Sequence, residues 1–379
     1  MNYFEFATAD ATLYEGEATQ SVNTGLDPIL EVRKDMNDSG TVIAVSRALI
    51  KFDLSYIKSS VTNGLIPKSA KYYLNLYDAG SSELPSSQTL YGYPVSQSWV
   101  QGDGTYGDNP KTTEGVSWRY RDGETSGTQW ILSSNDTGGT WFSGSYAGGT
   151  RNLTCSASLS YETTDIRMDV TDIVHGWIYS SSAFPNEGFM VKRSGSVGNA
   201  NSSVDEGSTT AFGQLKFFSR DTSTIYPPKL EAEWNSSAWS TGSLAPLTGS
   251  ALEDTVVYFT GMRGEYKQNS KIKFKLVGRE RYPKKTFSTT SQNLVVKHFP
   301  SASVWFSVKD ALTEDVIIPF GTGSYISCDS SGHYFNMWMN GLQAERYYKF
   351  EIKVQSGSKT DANQIVNYYD DDWTFKVVR

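Results

Sequence analysis

Side chains able to do chemistry are sparse and scattered in this chain. There are three histidines, His175, His298 and His333, and two cysteines, Cys155 and Cys328. Each histidine falls in a separate expected element, and none has the spacing of a metal site. The cysteines fall in what read as different domains, so no disulfide is expected. No Gly-x-Ser-x-Gly elbow, His-Glu-x-x-His pair or Walker loop occurs. A glycosidase needs two carboxyls flanking one cleft at roughly 5 to 9 Å. Glu231 and Glu233 share one face of a strand and read as a solvated face. Asp370, Asp371 and Asp372 precede a strand and read as a turn. The stretch GDGTYGDN, with Asp103 and Asp108, also reads as a turn, because its spacing is not that of an EF-hand loop. Calcium binding is the alternative reading of both acidic loops. No catalytic residue, cofactor or metal ligand is assigned, and the chain is not expected to be an enzyme.

Aromatic residues are the remaining candidates. Trp99, Trp130, Trp141 and Tyr146 lie in a long Gly-rich and Ser-rich stretch and are expected to be exposed there. Such rings could stack on sugars or bury at a subunit contact. A protein contact is the favoured reading. Trp118 and Trp177 are expected in the core.

These residues are carried by strands. Between Arg47 and Tyr77, Ala48, Ile50, Phe52 and Leu54 alternate with Arg47, Lys51 and Asp53, and Ala70, Tyr72, Leu74 and Leu76 alternate with Lys71, Tyr73, Asn75 and Tyr77. A period of two places one set inward and the other toward solvent, so this stretch predicts a hairpin-like strand pair joined by a polar loop. Two or three short extended pieces precede it. Residues 84–165 read as long surface loops with strands near Leu90–Val95 and Val116–Tyr120. A strand at Ile166–Val170 leads into TDIVHGWIY, a short helix with Thr171 or Asp172 placed to cap it. Strands follow at Phe189–Lys192, Leu215–Arg220 and Lys229–Trp234. In the last, Leu230, Ala232 and Trp234 are expected inward and Lys229, Glu231 and Glu233 outward.

Residues 236–250 are small and polar and read as a linker. About seven alternating strands follow, with Ile272, Phe274 and Leu276 inward against Lys271, Lys273 and Lys275 outward. The fold class is therefore all-β, with two jelly-roll-like β-sandwich domains in tandem: residues 1–235 with an insertion at about 84–165, and residues 251–379.

At 379 residues the chain has room for two or three domains. A net charge of −7 argues against a nucleic-acid partner, which calls for a basic face. The N-terminus lacks the pattern of a secretory signal, and no stretch is apolar for the roughly 18 to 20 residues of a membrane span.

Residues 8–234 resemble the DNRLRE-type β-sandwich module. The resemblance runs through Asn23-Thr24-Gly25, Leu30–Val32, Arg47–Leu54, Ile66–Ala70, Leu74–Tyr77, Trp99 and Gly115–Trp118. It continues with Asp169–Thr171, Trp177, Gly188–Val191, Phe217–Arg220 and Pro227–Leu230. It implies a jelly-roll-like sandwich, similar to carbohydrate-binding modules and also found in surface and phage structural proteins. The second domain is similar in texture to domains of tailed-phage virion proteins, through VVYFTGMRGEY, DVIIPF and YYDDDWTFKVV. Together they lead to the expectation of a virion structural protein, assembled in the host cytoplasm and joining or decorating neighbouring particle proteins in a symmetric array. Recognition of a polysaccharide, including a cell-surface glycan, is the alternative.

Overall fold

A computed structural model describes residues 1–36, 43–130, 138–180, 184–195, 205–247, 254–282, 287–291, 293–301, 303–356 and 365–379. Strands dominate, and the chain is all-β as expected, with helices at Ser55–Thr62 and Thr171–Tyr179 among the described residues. It divides into two compact units, one of residues 5–232 and one of residues 1–4 with 233–379.

In the 5–232 unit the main sheet runs Cys155–Ser160, Ser87–Pro94, Phe189–Lys192, Ile43–Phe52, Asn2–Tyr14, Lys229–Glu233, Lys71–Leu76 and Ile166–Asp169. Strand Ile43–Phe52 is shared. Val45 pairs with Lys34 of Ile29–Met36, while Ile50 pairs with Asp10 on one side and Phe189 on the other. Ile29–Met36 pairs in turn with Gly213–Phe218. The expected hairpin between Arg47 and Tyr77 does not form. Strands Asn2–Tyr14 and Lys229–Glu233 lie between its two halves in the sheet. The connecting stretch is also not a plain loop. It holds the helix Ser55–Thr62, whose Ile57, Ser60 and Val61 are buried, and Asp53 Oδ1 accepts the Ser55 N–H at 2.9 Å.

Helix Thr171–Tyr179 forms where expected but is capped differently. Thr171 Oγ1 accepts the Tyr72 N–H of the adjoining strand at 2.9 Å, and it is Asp169 Oδ1 that accepts the Thr171 N–H. Residues 116–120, expected as a strand, make a turn closed by Ser117 N–H donating to the Tyr120 carbonyl.

Two six-stranded sheets form the other unit. One is centred on Lys271–Glu280 between Thr255–Thr260 and Gly332–Trp338; the other is centred on Arg346–Ser356 between Val304–Asp310 and both Thr374–Val378 and Ile365–Tyr369. All seven expected strands appear, joined by short ones such as Glu265–Lys267 and Ser327–Asp329. Phenylalanines fill the space between the sheets. Phe306 stacks on Phe335 with centroids 4.0 Å apart, and Phe350 on Phe375 at 4.8 Å. Residues 236–247, expected as a linker, are part of this unit. Leu247 is fully buried, and Ala238 and Ser240 exchange backbone hydrogen bonds with Cys328 at 2.9 Å. Phe4 joins the same core, which explains why residues 1–4 belong to it.

Candidate functional site

The four aromatic candidates do not make one exposed surface. Trp99 and Trp130 are buried, at 8% and 4% exposure, in a cluster with Leu13, Leu49, Val95, Val116, Trp118 and Met190. Each indole N–H is satisfied: Trp99 Nε1 donates to the Glu187 carbonyl at 2.8 Å and Trp130 Nε1 to the Ser117 carbonyl at 3.0 Å. A tryptophan with its N–H paired buries without penalty and contributes its full apolar area. The insertion uses these rings as a second core, which covers the sheet face opposite Ile50 and Phe52. Trp141 and Tyr146 are half-buried. Tyr146 packs on Phe184 at 5.1 Å and donates its hydroxyl to the Asp172 carbonyl at 2.5 Å. Trp118 and Trp177 are in the core as expected.

The glycine-rich text of the insertion has a specific cause. Asn23 Nδ2 donates to the Gln101 and Val116 carbonyls at 2.7 and 2.9 Å, and its Oδ1 accepts the Gly104 N–H at 2.8 Å. A Cβ at Gly102 would sit 2.4 Å from that oxygen, and one at Gly115 would sit 2.6 Å from the nitrogen. Both glycines also have positive φ, so the loops can close around Asn23 only with glycine at these places.

Beneath the insertion lies a charged network that alternation alone assigns to solvent. Arg47, expected to point outward, is fully buried. Its Nε and Nη2 form a fork on Glu206 at 3.2 and 2.7 Å, and its Nη1 donates to the Gly138 carbonyl at 2.8 Å. Lys192 reaches the same carboxylate at 3.2 Å, and none of the three side chains is exposed. The guanidinium lies over Trp118 and Trp141, at 4.5 and 5.2 Å, and Lys192 over Trp141 at 4.8 Å. Arg193 donates to Gln88 Oε1 at 2.7 Å and to the Phe212 carbonyl at 2.9 Å. Lys34 donates to the Asp205 carbonyl and to Ser208. Segments 138–141 and 205–212 are thus held to the sheet by buried cations and one shared carboxylate. With no exposure the network has no room for a ligand, so it serves as a lock. A basic residue starting an apolar strand, as in RALIKF, or closing one, as in FMVKR, was the available signal.

Lys229 and Glu231 are the other corrections, since both are buried, at 2% and 3% exposure. Lys229 lies between the rings of Phe6 and Tyr77, at 5.6 and 5.3 Å, and burial lowers its pKa to about 8. Glu231 is 3.0 Å from Arg167 and accepts from Asn75. Asp10 is buried as well. Its Oδ2 accepts the Arg220 N–H at 2.7 Å, its Oδ1 has no hydrogen-bond partner among the described residues, and burial pushes its pKa up to about 7.

Remaining titratable groups behave as structural ones. Asp108 accepts from Thr105 and Thr112, which holds its carboxyl below the usual range, as suits a turn. Asp370 is 3.2 Å from Lys349. His298 and His333, from separate elements, both lie near Trp239, with ring centroids at 6.3 and 5.8 Å. Burial pushes His333 down to about 3, and its Nε2 accepts the Phe299 N–H. Burial raises the Cys155 thiol to about 12 and Cys328 to about 11, so both stay protonated. Among the described residues no group of three or more His, Cys, Asp or Glu is placed to hold a metal ion, and no helix is long and apolar enough to cross a membrane.

One polar cavity of about 360 Å³ opens beside helix Thr171–Tyr179, lined by Lys71, Asn152, Thr154, Cys155, Asp169 and Asp172. Asp172 is bound by Arg151 at 2.8 Å and by the Asn152 N–H at 3.0 Å, and Asp169 is 3.8 Å from Lys71. Its lining offers hydrogen bonding and charge, and burial keeps its thiol protonated.

No protein-family model matches the chain, and no curated protein does. Among solved structures it is similar to a DUF4785 family protein from Legionella pneumophila, at 10% identity over 97% of this chain and 68% of that one, with a TM-score of 0.19.

Proposed function

We propose that the chain is a non-enzymatic structural protein of a tailed-bacteriophage virion that joins or decorates neighbouring particle proteins. The observation that supports this most is the use of the chemistry-bearing side chains. Arg47, Lys192 and Glu206 bind one another with no exposure, and Lys229 and Glu231 are buried as well. A scaffold that locks its own loops this way is suited to holding a fixed surface for partners. Joining would then proceed by interface burial repeated by symmetry. Mass spectrometry of density-purified particles tests this. The chain should be recovered in them in fixed ratio to the major particle proteins, and its absence would exclude the role.

Polysaccharide recognition is the second reading, and one feature favours it, though away from the insertion. On the sheet of the 1–4/233–379 unit, Lys353 pairs across strands with Trp305 and Tyr368, and its ammonium lies 5.3 and 5.8 Å from those rings. Tyr368 is 56% exposed. Retardation in polysaccharide gels, abolished by Trp305→Ala, would promote this reading; unretarded migration in every gel would remove it.

A further inference from the structure

Strand Lys271–Glu280 is left half-paired along one edge. Its other edge is covered from Lys271 to Leu276 by Gly332–Trp338. On the near edge, Thr255–Thr260 covers it only as far as the pair Thr260↔Lys275. There the neighbouring chain turns away through Gly261, and the Arg263 N–H donates to the hydroxyl of the buried Tyr266 at 2.8 Å, which fixes the departure. Among the described residues no strand pairs the edge of 271–274 beyond that point. A cavity of about 290 Å³ occupies the vacated place, lined by Thr260, Met262, Arg263, Lys271, Ile272 and Lys273.

An open strand edge is a template for another strand. What could pair here is restricted by charge. Residues 260–275 carry Arg263, Lys267, Lys271, Lys273 and Lys275 against the single acid Glu265, in a chain whose net charge is −7. Asp329 offsets Lys273 at 3.3 Å. The edge of a second copy would bring the same lysines and be repelled. A nucleic acid would need stacking platforms, and the Tyr334 ring is already covered by Lys273 at 3.7 Å. An extended acidic peptide supplies both requirements: backbone N–H and C=O groups for the edge and carboxylates for Arg263, Lys271 and Lys273.

We propose that the edge of residues 271–274 is a docking slot for an extended acidic segment of a neighbouring protein, added as a short strand in line with Thr255–Thr260. The identity of the neighbour as a particle protein rests on the virion reading; the slot itself does not. The test titrates the full chain into a fluorescein-labelled, end-blocked heptapeptide of alternating Glu and Val, read by anisotropy. Saturable binding is expected, weakened at least about tenfold by Lys271→Glu with Lys273→Glu and unchanged by Lys68→Glu. Methylating the peptide's alternate backbone nitrogens should weaken it by a similar factor, because a strand ladder needs those donors. Circular dichroism of the exposed-lysine variants confirms that they fold. Absence of binding at millimolar peptide, indifference to N-methylation, or equal competition by an oligouronate would each overturn the proposal. Recovery of the chain from particles together with any of these results would leave the virion role standing and this slot refuted.

Discussion

In the 5–232 unit, Arg47, Lys192 and Glu206 are buried together at the junction of loops and sheet. In the other unit the comparable interior holds Phe274, Phe306, Phe335, Phe350 and Phe375, and lysines such as Lys271, Lys273 and Lys275 remain outside. The contrast follows from what covers each sheet. Two facing sheets can interdigitate rings, and aromatic pairs gain from edge and offset contacts. A long glycine-rich insertion brings rings of its own but also backbone polar groups that need partners wherever it crosses the sheet. Arg47 on the Gly138 carbonyl, Arg193 on Phe212 and Asn23 on Gln101 and Val116 are those partners. In the first unit a cluster of buried charges orders the loops, whereas the lysines of Lys271–Glu280 in the second stay at the surface.

Glu206→Ala breaks the comparison hardest. It leaves Arg47 and Lys192 buried without their shared carboxylate, a loss on the order of 3–5 kcal/mol. Calorimetry of the full chain should show the transition of the 5–232 unit collapse to lower temperature while the other persists. A shift confined to a surface-pair value would mean the network is not the lock described.

Phe335→Ala is the mirror experiment. Phe335 is 2% exposed and touches Phe306, Phe274 and Phe350, so its removal should cost about 3–4 kcal/mol in the other unit alone. Its effect should not vary with pH or salt.

Asp10 gives the first unit a pH signature. Its folded pKa is raised to about 7 from 3.8 by burial. The stability it contributes is therefore fully present below about pH 4 and is lost as pH rises through 7. Asp10→Asn should flatten that fall and stabilise the unit at pH 8 by roughly 2 kcal/mol. Urea denaturation at pH 5 and pH 8 would read it, and an unchanged pH dependence would contradict the assignment.

The same contrast explains what could be read from sequence. Alternation in Lys271–Leu276 gave the right faces because these lysines stay exposed. Alternation around Arg47 and around Lys229–Glu233 found the strands but misassigned the outer residues. Period two distinguishes two faces and does not tell whether a distant segment covers one of them. The covering segments, 138–141 and 205–212, have no periodicity, and their partners lie 91 and 159 residues from Arg47. Trp99 and Trp130 are buried against the expectation of exposure for the same reason. Nothing local shows that Glu187 and Ser117 offer them carbonyls.

Lys273→Ala supplies the smallest effect and the sharpest test of the contrast. Lys273 lies 3.3 Å from Asp329, with the two side chains 43% and 36% exposed. An exposed pair of this kind contributes about 0.2–1 kcal/mol, because water already solvates both charges and two long side chains lose freedom on pairing. Salt at 1 M shortens the Debye length to about 3 Å and should erase most of it. The Glu206 network, shut away from mobile ions, should lose almost nothing under the same salt. Denaturation of both variants at low and high salt therefore separates two uses of the same charged residues. If Lys273→Ala proved as costly and as salt-resistant as Glu206→Ala, charge in the second unit would be structural too, and the slot beside it would have no lysines to give a partner.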